Sequence, residues 1–276
     1  MTDHSEWVGR VGHVWAAEWQ RTDRSFGPVT ERLLEVARAG DFAQALDVGC
    51  GAGELSLCLA EGHPSSRVIG VDVSEDLLGT ARSRGAELAN LRFEHGDAAA
   101  WSAGEGERPD LVVSRHGVMF FEDPVSAFAH IAREAVLGAR LVFSCFREPS
   151  QNGWVRELAS ALPKGDAPPP DSDAPGPFAF GREERVRNIL RDAGWRDVSL
   201  EPIDYGMVAG EGADAVEDAL SYFLRIGPAA RAVAGLEGAE REEVLARLRA
   251  VLGRHHDQRT VSLPAACWIV TAHAPG

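Results

Sequence analysis

Between residues 44 and 146, short runs rich in β-branched side chains alternate with longer segments whose apolar residues recur at helical spacing. The runs predict five strands, Gln44–Val48, Arg67–Asp72, Leu91–His95, Asp110–Ser114 and Arg140–Phe146. The intervening segments predict three helices, Glu54–Glu61, Glu75–Ala89 and Pro124–Ala135. Because strand–helix–strand units connect parallel strands, the pattern predicts an α/β fold with a doubly wound, mostly parallel sheet. In such sheets, ligands bind at the carboxyl ends of the strands.

The flanking sequence predicts a division into cap, core and insertion. Residues 1–40 predict an N-terminal helical cap, residues 41–206 and 263–276 the core, and residues 207–262 a helical insertion before the last strand. The later core elements are predicted as a helix and two strands, Gly181–Ala193, Asp197–Tyr205 and Ala265–His273.

Two features of the sequence leave alternatives open. Three tryptophans, Trp7, Trp15 and Trp19, either pack in the core or form a lid over a flat ligand. Residues 163–177 contain six prolines and cannot be regular structure, so this stretch is either a lid or a disordered connector.

Charge and lysine content exclude several classes of function. The chain has 28 basic and 42 acidic side chains, a net charge of −14, and its lysine, Lys164, lies in the proline-rich stretch. A P-loop and a Schiff-base enzyme both need a well-placed lysine. Because the acidic balance repels phosphate backbones, we expect a small-molecule partner and no nucleic acid.

The cysteines and histidines indicate no metal site. Cys50, Cys58, Cys145 and Cys267 are scattered without a C-x-x-C pair, which argues against zinc and against a disulfide framework. Adjacent residues on a helix point about 100° apart, so residues 255–257, His-His-Asp, do not share an ion.

No apolar run approaches the roughly 20 residues that a membrane span needs, and the first residues lack a secretory pattern. The sequence therefore predicts a cytoplasmic protein with no membrane partner. The oligomeric state is left open.

A glycine-rich turn follows the first strand, with Gly49, Gly51 and Gly53. Glycine permits a sharp turn and the close approach of a ligand to the main chain. The third glycine comes one residue earlier than in the dinucleotide pattern G-x-G-x-x-G. Since Asp47 and Glu54 on either side would repel a pyrophosphate, an NAD-dependent oxidoreductase becomes the weaker interpretation.

Two further carboxylates end the next strands. Asp72, nineteen residues after Gly53, is suited to accept hydrogen bonds from both ribose hydroxyls. Asp97 follows the third strand at the same edge of the sheet, within reach of an adenine amino group. The combination indicates an adenosine without phosphate.

The motifs at Asp47–Gly53, Asp72 and Gly96–Asp97 resemble those of the class I S-adenosylmethionine-dependent methyltransferases. Residues 114–124, 152–154 and 176–180 are similar to a bacterial small-molecule subgroup of that family. The resemblance implies a Rossmann-like, seven-stranded sheet with an antiparallel last pair. It also implies S-adenosylmethionine as cofactor.

When the roles of the family's motif residues are carried over to the matching positions of this sequence, they imply a cofactor site. Backbone atoms would contact the methionyl part, Asp47 would orient the loop, and Asp72 would hold the ribose. The cofactor set implied by the resemblance is Asp47, Gly49, Cys50, Gly51, Gly53, Asp72, Val73, Leu77, Gly96, Asp97, Ala98 and Ser114.

Arg115 and His116 would lie beside the reacting methyl group. His116 is the candidate general base because imidazole titrates near neutral pH. Arg115 either binds an acidic substrate or forms a structural ion pair. The predicted activity is methyl transfer to an unidentified small molecule. A protein that binds the cofactor without transferring methyl is the alternative.

Overall fold

The computed structural model describes residues 4–163 and 173–276. Its strands are β1 (Gln44–Val48), β2 (Arg67–Asp72), β3 (Leu91–His95), β4 (Leu111–Arg115), β5 (Arg140–Phe146), β6 (Arg196–Glu211), β7 (His256–Asp257) and β8 (Thr260–His273). The sheet has the order β3-β2-β1-β4-β5-β8-β6, with the two-residue β7 paired to β8 off this path. Strands β1 to β5 run parallel, and β8 is antiparallel to both of its neighbours. The predicted doubly wound, mostly parallel α/β sheet is confirmed.

Helices cover both faces of the sheet and its carboxyl-end edge. They are α1 (His4–Val8), α2 (Arg10–Ala17), α3 (Trp19–Ala37), α4 (Glu54–Gly62), α5 (Glu75–Arg84), α6 (Pro124–Glu134), α7 (Gly153–Ala161), α8 (Glu183–Asp192), α9 (Ala215–Phe223), α10 (Pro228–Val233) and α11 (Gly238–Arg254). The central strands are buried on both sides, and Val68, Ile69 and Val71 of β2 are each at most 1% exposed. Burial on both faces explains why the sequences of these strands are continuous apolar runs.

Some predicted bounds are wrong. Helix α5 ends at Arg84 instead of Ala89, because the chain turns at Gly85, where an added Cβ would lie only 3.0 Å from Leu91 Cδ2. Strand β4 is shifted by one residue because the Asp110 carboxylate accepts hydrogen bonds from Ala43 N–H and Gln44 N–H.

The last strand pair also extends further than predicted. Strand β6 continues to Glu211 and β8 begins at Thr260, so both strands reach into residues 207–262, predicted as a helical insertion. The reason is the antiparallel ladder, which continues through Met207 and Val208 to the Glu211–Thr260 pair. Helices α9, α10 and α11 lie between these two strands in the chain.

Among the described residues, no helix is long and apolar enough to cross a membrane. Within the same two ranges, no group of three or more His, Cys, Asp or Glu side chains is placed to hold a metal ion. Lys164 and residues 165–172 of the proline-rich stretch lie outside the described residues, as do residues 1–3.

Candidate functional site

A cavity of about 760 Å³ opens at the carboxyl ends of β1 to β5, beneath the N-terminal helices. Its volume falls within the roughly 300–1,000 Å³ typical of small-molecule sites. Most of the predicted cofactor residues line it, namely Asp47, Gly49, Cys50, Gly51, Asp72, Val73, Leu77, Gly96, Asp97 and Ala98. Sequence positions far apart in the chain therefore meet in one cleft.

The glycine turn after β1 is held by the neighbouring strand. Gly49 N–H and Cys50 N–H both donate to the Val71 carbonyl, at 2.9 and 3.1 Å. Gly49 has φ +64°, and an added Cβ would lie 2.9 Å from the Gly117 Cα. Only glycine fits here, since a side chain would meet both an unfavourable φ and another backbone. The turn thus brings main-chain atoms to the cavity wall.

Asp72, at the end of β2, joins the glycine turn to the next loop. Its Oδ2 accepts from Gly51 N–H at 2.8 Å and its Oδ1 from Ser74 N–H at 2.9 Å. Burial raises the pKa of this carboxyl group, and the hydrogen bonds from backbone amides oppose that effect. Each carboxylate oxygen retains a lone pair for a further donor.

Asp47, the second-last residue of β1, is 1% exposed and lines the cavity. Ser56 Oγ donates to its Oδ2 at 2.6 Å, whereas Oδ1 is buried and has no hydrogen-bond partner among the residues that the structure describes. Burial raises the pKa of Asp47 to about 6. A buried carboxylate oxygen without a partner is costly, so this position is suited to a ligand that brings a cation or an N–H donor.

The third strand end supplies the far end of the cavity. Asp97 is exposed at the cavity mouth, and its Oδ1 accepts from Ala99 N–H at 2.8 Å. Gly96 N–H donates to the Asp72 carbonyl at 3.0 Å, which fixes this loop against β2. Leu77, 5% exposed, adds an apolar side chain to the cavity wall.

Two predicted cofactor residues do not line the cavity. Ser114 is fully buried, and its Oγ donates to the Val48 carbonyl at 2.7 Å and accepts from Gly117 N–H at 3.2 Å. The hydroxyl therefore braces β4 against β1. Gly53 faces the protein interior, where an added Cβ would lie 2.9 Å from Phe93 Cζ.

Arg115 lines the cavity but is committed to ion pairs. Its guanidinium pairs with Glu54, donates to Asp23 Oδ1 at 3.1 Å and to Thr30 Oγ1 at 2.9 Å. Asp23 Oδ2 also pairs with Arg84 at 2.8 Å. Of the two interpretations of Arg115, the geometry supports the structural ion pair, which joins β4 to α3 and α4.

The ring of His116 forms part of the cavity wall. It stacks on Phe146 with centroids 4.5 Å apart and lies 4.8 Å from the Phe26 ring. Nδ1 is 3.5 Å from Ser144 Oγ and Nε2 is 3.8 Å from Cys267 Sγ, so both nitrogens are directed at protein groups. Burial, with the Arg115 charge, lowers the pKa of His116 to about 3. The burial of the ring and these two contacts oppose the expectation that His116 titrates near neutral pH.

Several lining residues were not predicted as site residues. The aromatic side chains among them are Trp7, Trp15, Trp19, Phe26, Phe120 and Phe146. The sequence is compatible with the three tryptophans in the core or in a lid, and in the structure they line the cavity. Phe26 follows Trp19 by seven residues, a helical spacing that places both on one face of α3.

Comparisons with known proteins agree with this fold. Residues 45–138 match the family model described as a methyltransferase domain. A trans-aconitate 2-methyltransferase of Variovorax paradoxus is 29% identical over 176 residues, 62% of this chain and 61% of that protein. A ubiquinone biosynthesis O-methyltransferase of Methylococcus capsulatus is 26% identical over 219 residues, 75% of this chain and 86% of that protein. This chain spans about three fifths of the length of the first of these relatives.

Solved structures share the fold. A Haemonchus contortus phosphoethanolamine N-methyltransferase 2, in complex with phosphomonomethylethanolamine and S-adenosylhomocysteine, superposes with a TM-score of 0.55 at 17% identity, over 95% of this chain and 57% of that chain. The cyclase SpnF superposes with a TM-score of 0.53 at 18% identity, over 90% of this chain and 81% of that chain. The fold alone therefore does not fix the reaction.

The order of the strands and the cavity at their carboxyl ends define an α/β protein of the Rossmann-like class. Residues 45–138 match a methyltransferase domain, and the chain is similar to the named methyltransferases, in agreement with the family resemblance noted from the sequence.

Proposed function

We propose that the protein transfers a methyl group from S-adenosylmethionine to a small-molecule acceptor. The observation that carries the proposal is the meeting of the glycine turn with Asp72 and Asp97 in one cavity. The matched methyltransferase domain covers these same positions.

The residues present fit this cofactor. The partnerless Oδ1 of Asp47 would accept from the ammonium group of the methionyl part, and the free lone pairs of Asp72 from the ribose hydroxyls. Asp97 and the Ala98 amide would contact the adenine edge. Val73 and Leu77 would contact its faces. No group in this set favours a phosphate, in agreement with a nucleoside without one.

The bound cofactor supplies an electrophilic methyl group attached to a sulfonium. The residues of this chain orient the acceptor, and tryptophans of the N-terminal helices form part of the cavity wall. Because both nitrogens of His116 contact protein groups, the imidazole ring forms part of the cavity wall and does not act as a proton acceptor. Arg115 holds α3 and α4 against the strand edge through Asp23 and Glu54.

The test is transfer of labelled methyl from S-adenosylmethionine to a panel of small acceptors. Transfer to any acceptor, abolished by saturating S-adenosylhomocysteine, supports the proposal. Binding of S-adenosylhomocysteine without transfer to any member would favour a non-methylating cofactor-binding protein instead. We further propose a cytoplasmic location and no nucleic-acid partner, in line with the net charge of −14.

A further inference from the structure

The chemical character of the cavity changes along the edge of the sheet. In strand order, Asp97 follows β3, Asp72 ends β2, the glycine turn follows β1, His116 follows β4, and Phe146 ends β5. The carboxylates of the proposed cofactor site thus lie at one end, and aromatic rings lie at the other. The acceptor must approach from the side beyond the glycine turn.

That aromatic end is formed by Phe26, His116, Met119, Phe120 and Phe146, all of which line the cavity. The Phe26 and Phe146 rings lie 6.0 Å apart, and both contact His116. Met119 is 1% exposed. The ring of His116 adds no charge, since its pKa is lowered to about 3.

Charges near the aromatic end are already paired. Arg115, whose guanidinium lies 5.5 Å from the Phe26 ring centroid, is matched by Asp23 and Glu54. Asp23 is in turn shared with Arg84. A charged acceptor would lose its hydration here without gaining a free counter-ion from the described residues, which disfavours its binding.

The remaining charged lining groups lie elsewhere. Glu122 and Asp123 are exposed at the cavity mouth, where they would repel an anion. Arg133 is exposed on α6, close to His130, whose Nε2 lies 2.6 Å from the Trp101 carbonyl near the Asp97 end.

We infer that the acceptor is an uncharged aromatic molecule, bound against Phe26, Phe120 and Phe146. This inference rests on the proposed methyl-transfer function and narrows its substrate class. The inferred acceptor differs in charge from trans-aconitate, the acidic compound for which several relatives are named. Stacked or edge-to-face contacts with such rings favour binding of an aromatic acceptor beyond the effect of the area buried.

Calorimetry on the full chain tests the inference with probes of matched shape. S-adenosylhomocysteine is titrated first; absence of binding would contradict the proposed function itself. With that ligand saturating at a pH of about 7, 2-naphthol, 2-naphthoate and 2-naphthylmethylammonium are compared as uncharged, anionic and cationic probes. Trans-aconitate is the fourth probe.

We expect 2-naphthol to bind at least about tenfold more tightly than each charged probe. Phe146→Leu should weaken 2-naphthol binding at least about fivefold, whereas the matched change Phe42→Leu, in a buried ring outside the cavity, should not. Equal or tighter binding of either charged naphthalene or of trans-aconitate would overturn the inference. So would failure of 2-naphthol to bind while S-adenosylhomocysteine binds, or equal weakening by the two Phe→Leu changes.

Discussion

The Asp72 carboxylate accepts a hydrogen bond from Gly51 N–H at 2.8 Å, linking the end of the second strand to the turn that follows the first. The carboxylate that is proposed to hold the ribose therefore also fixes the main chain that is proposed to contact the methionyl part. One side chain positions both halves of the cofactor site.

Asp72→Ala removes these contacts together. We expect the dissociation constant of S-adenosylhomocysteine to rise by about tenfold or more, because charge-assisted hydrogen bonds are lost and the turn is no longer held. Isothermal titration calorimetry measures the change. Asp76→Ala, an exposed carboxylate on α5, is the control and should alter the constant less than about twofold. Equal effects of the two substitutions would contradict the role of Asp72.

The raised pKa of Asp47 predicts a pH dependence of cofactor binding. With a pKa of about 6, the carboxyl group is largely protonated at a pH of about 5, and a bound ammonium group favours its ionised form. The affinity for S-adenosylhomocysteine should therefore rise between pH values of about 5 and 7. In Asp47→Asn this rise should shrink clearly in titrations at the same two pH values. An unchanged pH dependence would show that Asp47 does not face the ammonium group.

Arg115→Met should destabilise the fold. The change leaves Glu54, whose side chain is 18% exposed, without its cation, and it removes one of the two arginines paired with Asp23, which is 13% exposed. We expect the free energy of unfolding to fall by about 2–4 kcal/mol, measured by chemical denaturation. Adding Glu54→Gln should recover part of the loss, since one carboxylate no longer needs a partner. A loss below about 0.5 kcal/mol would instead indicate that Arg115 is free to bind a substrate.

His116 should affect acid stability. Its folded pKa of about 3 lies below the ordinary value of 6.5, so the unfolded chain binds more protons between these pH values. The stabilising contribution is present above a pH of about 6.5 and is lost as the pH falls toward 3. At a pH of about 4.5 the loss amounts to about 3 kcal/mol, and His116→Phe should remove it. Denaturation at the two pH values compares the proteins; equal losses would contradict the buried, neutral ring.

The same substitution, His116→Phe, tests whether His116 only lines the cavity or also acts as a general base. His116→Phe should leave the shape of the pH–rate profile unchanged near neutral pH, because neither ring nitrogen faces the cavity. Loss of an ionisation near pH 6–7 in the variant would restore His116 as a proton acceptor.

The sheet and the glycine turn were predictable because their signals are local. The bounds of β1 and β2 follow from apolar runs that end before Gly49 and at the Asp72 carboxylate. The Gly49 turn follows from three glycines after a buried strand. The end of α5 was predicted wrongly because helical periodicity continues past Gly85, and only packing against Leu91 shows where the chain turns.

The partners of the site residues were not predictable in this way. Arg115 and Asp23 are 92 positions apart in the chain, and nothing local in either segment indicates that they meet. The pKa of His116 depends on burial by Phe26 and Phe146, which come from α3 and β5. The chemical roles of side chains were therefore harder to predict from residue type than the fold was from sequence pattern.

The most direct test of the central proposal is calorimetric titration of the full chain with S-adenosylhomocysteine and, separately, with NAD. A nucleoside lacking phosphate, held between the glycine turn and the carboxylates of Asp72 and Asp97, requires that S-adenosylhomocysteine bind and that NAD show no measurable binding. Binding of NAD without binding of S-adenosylhomocysteine would contradict the account.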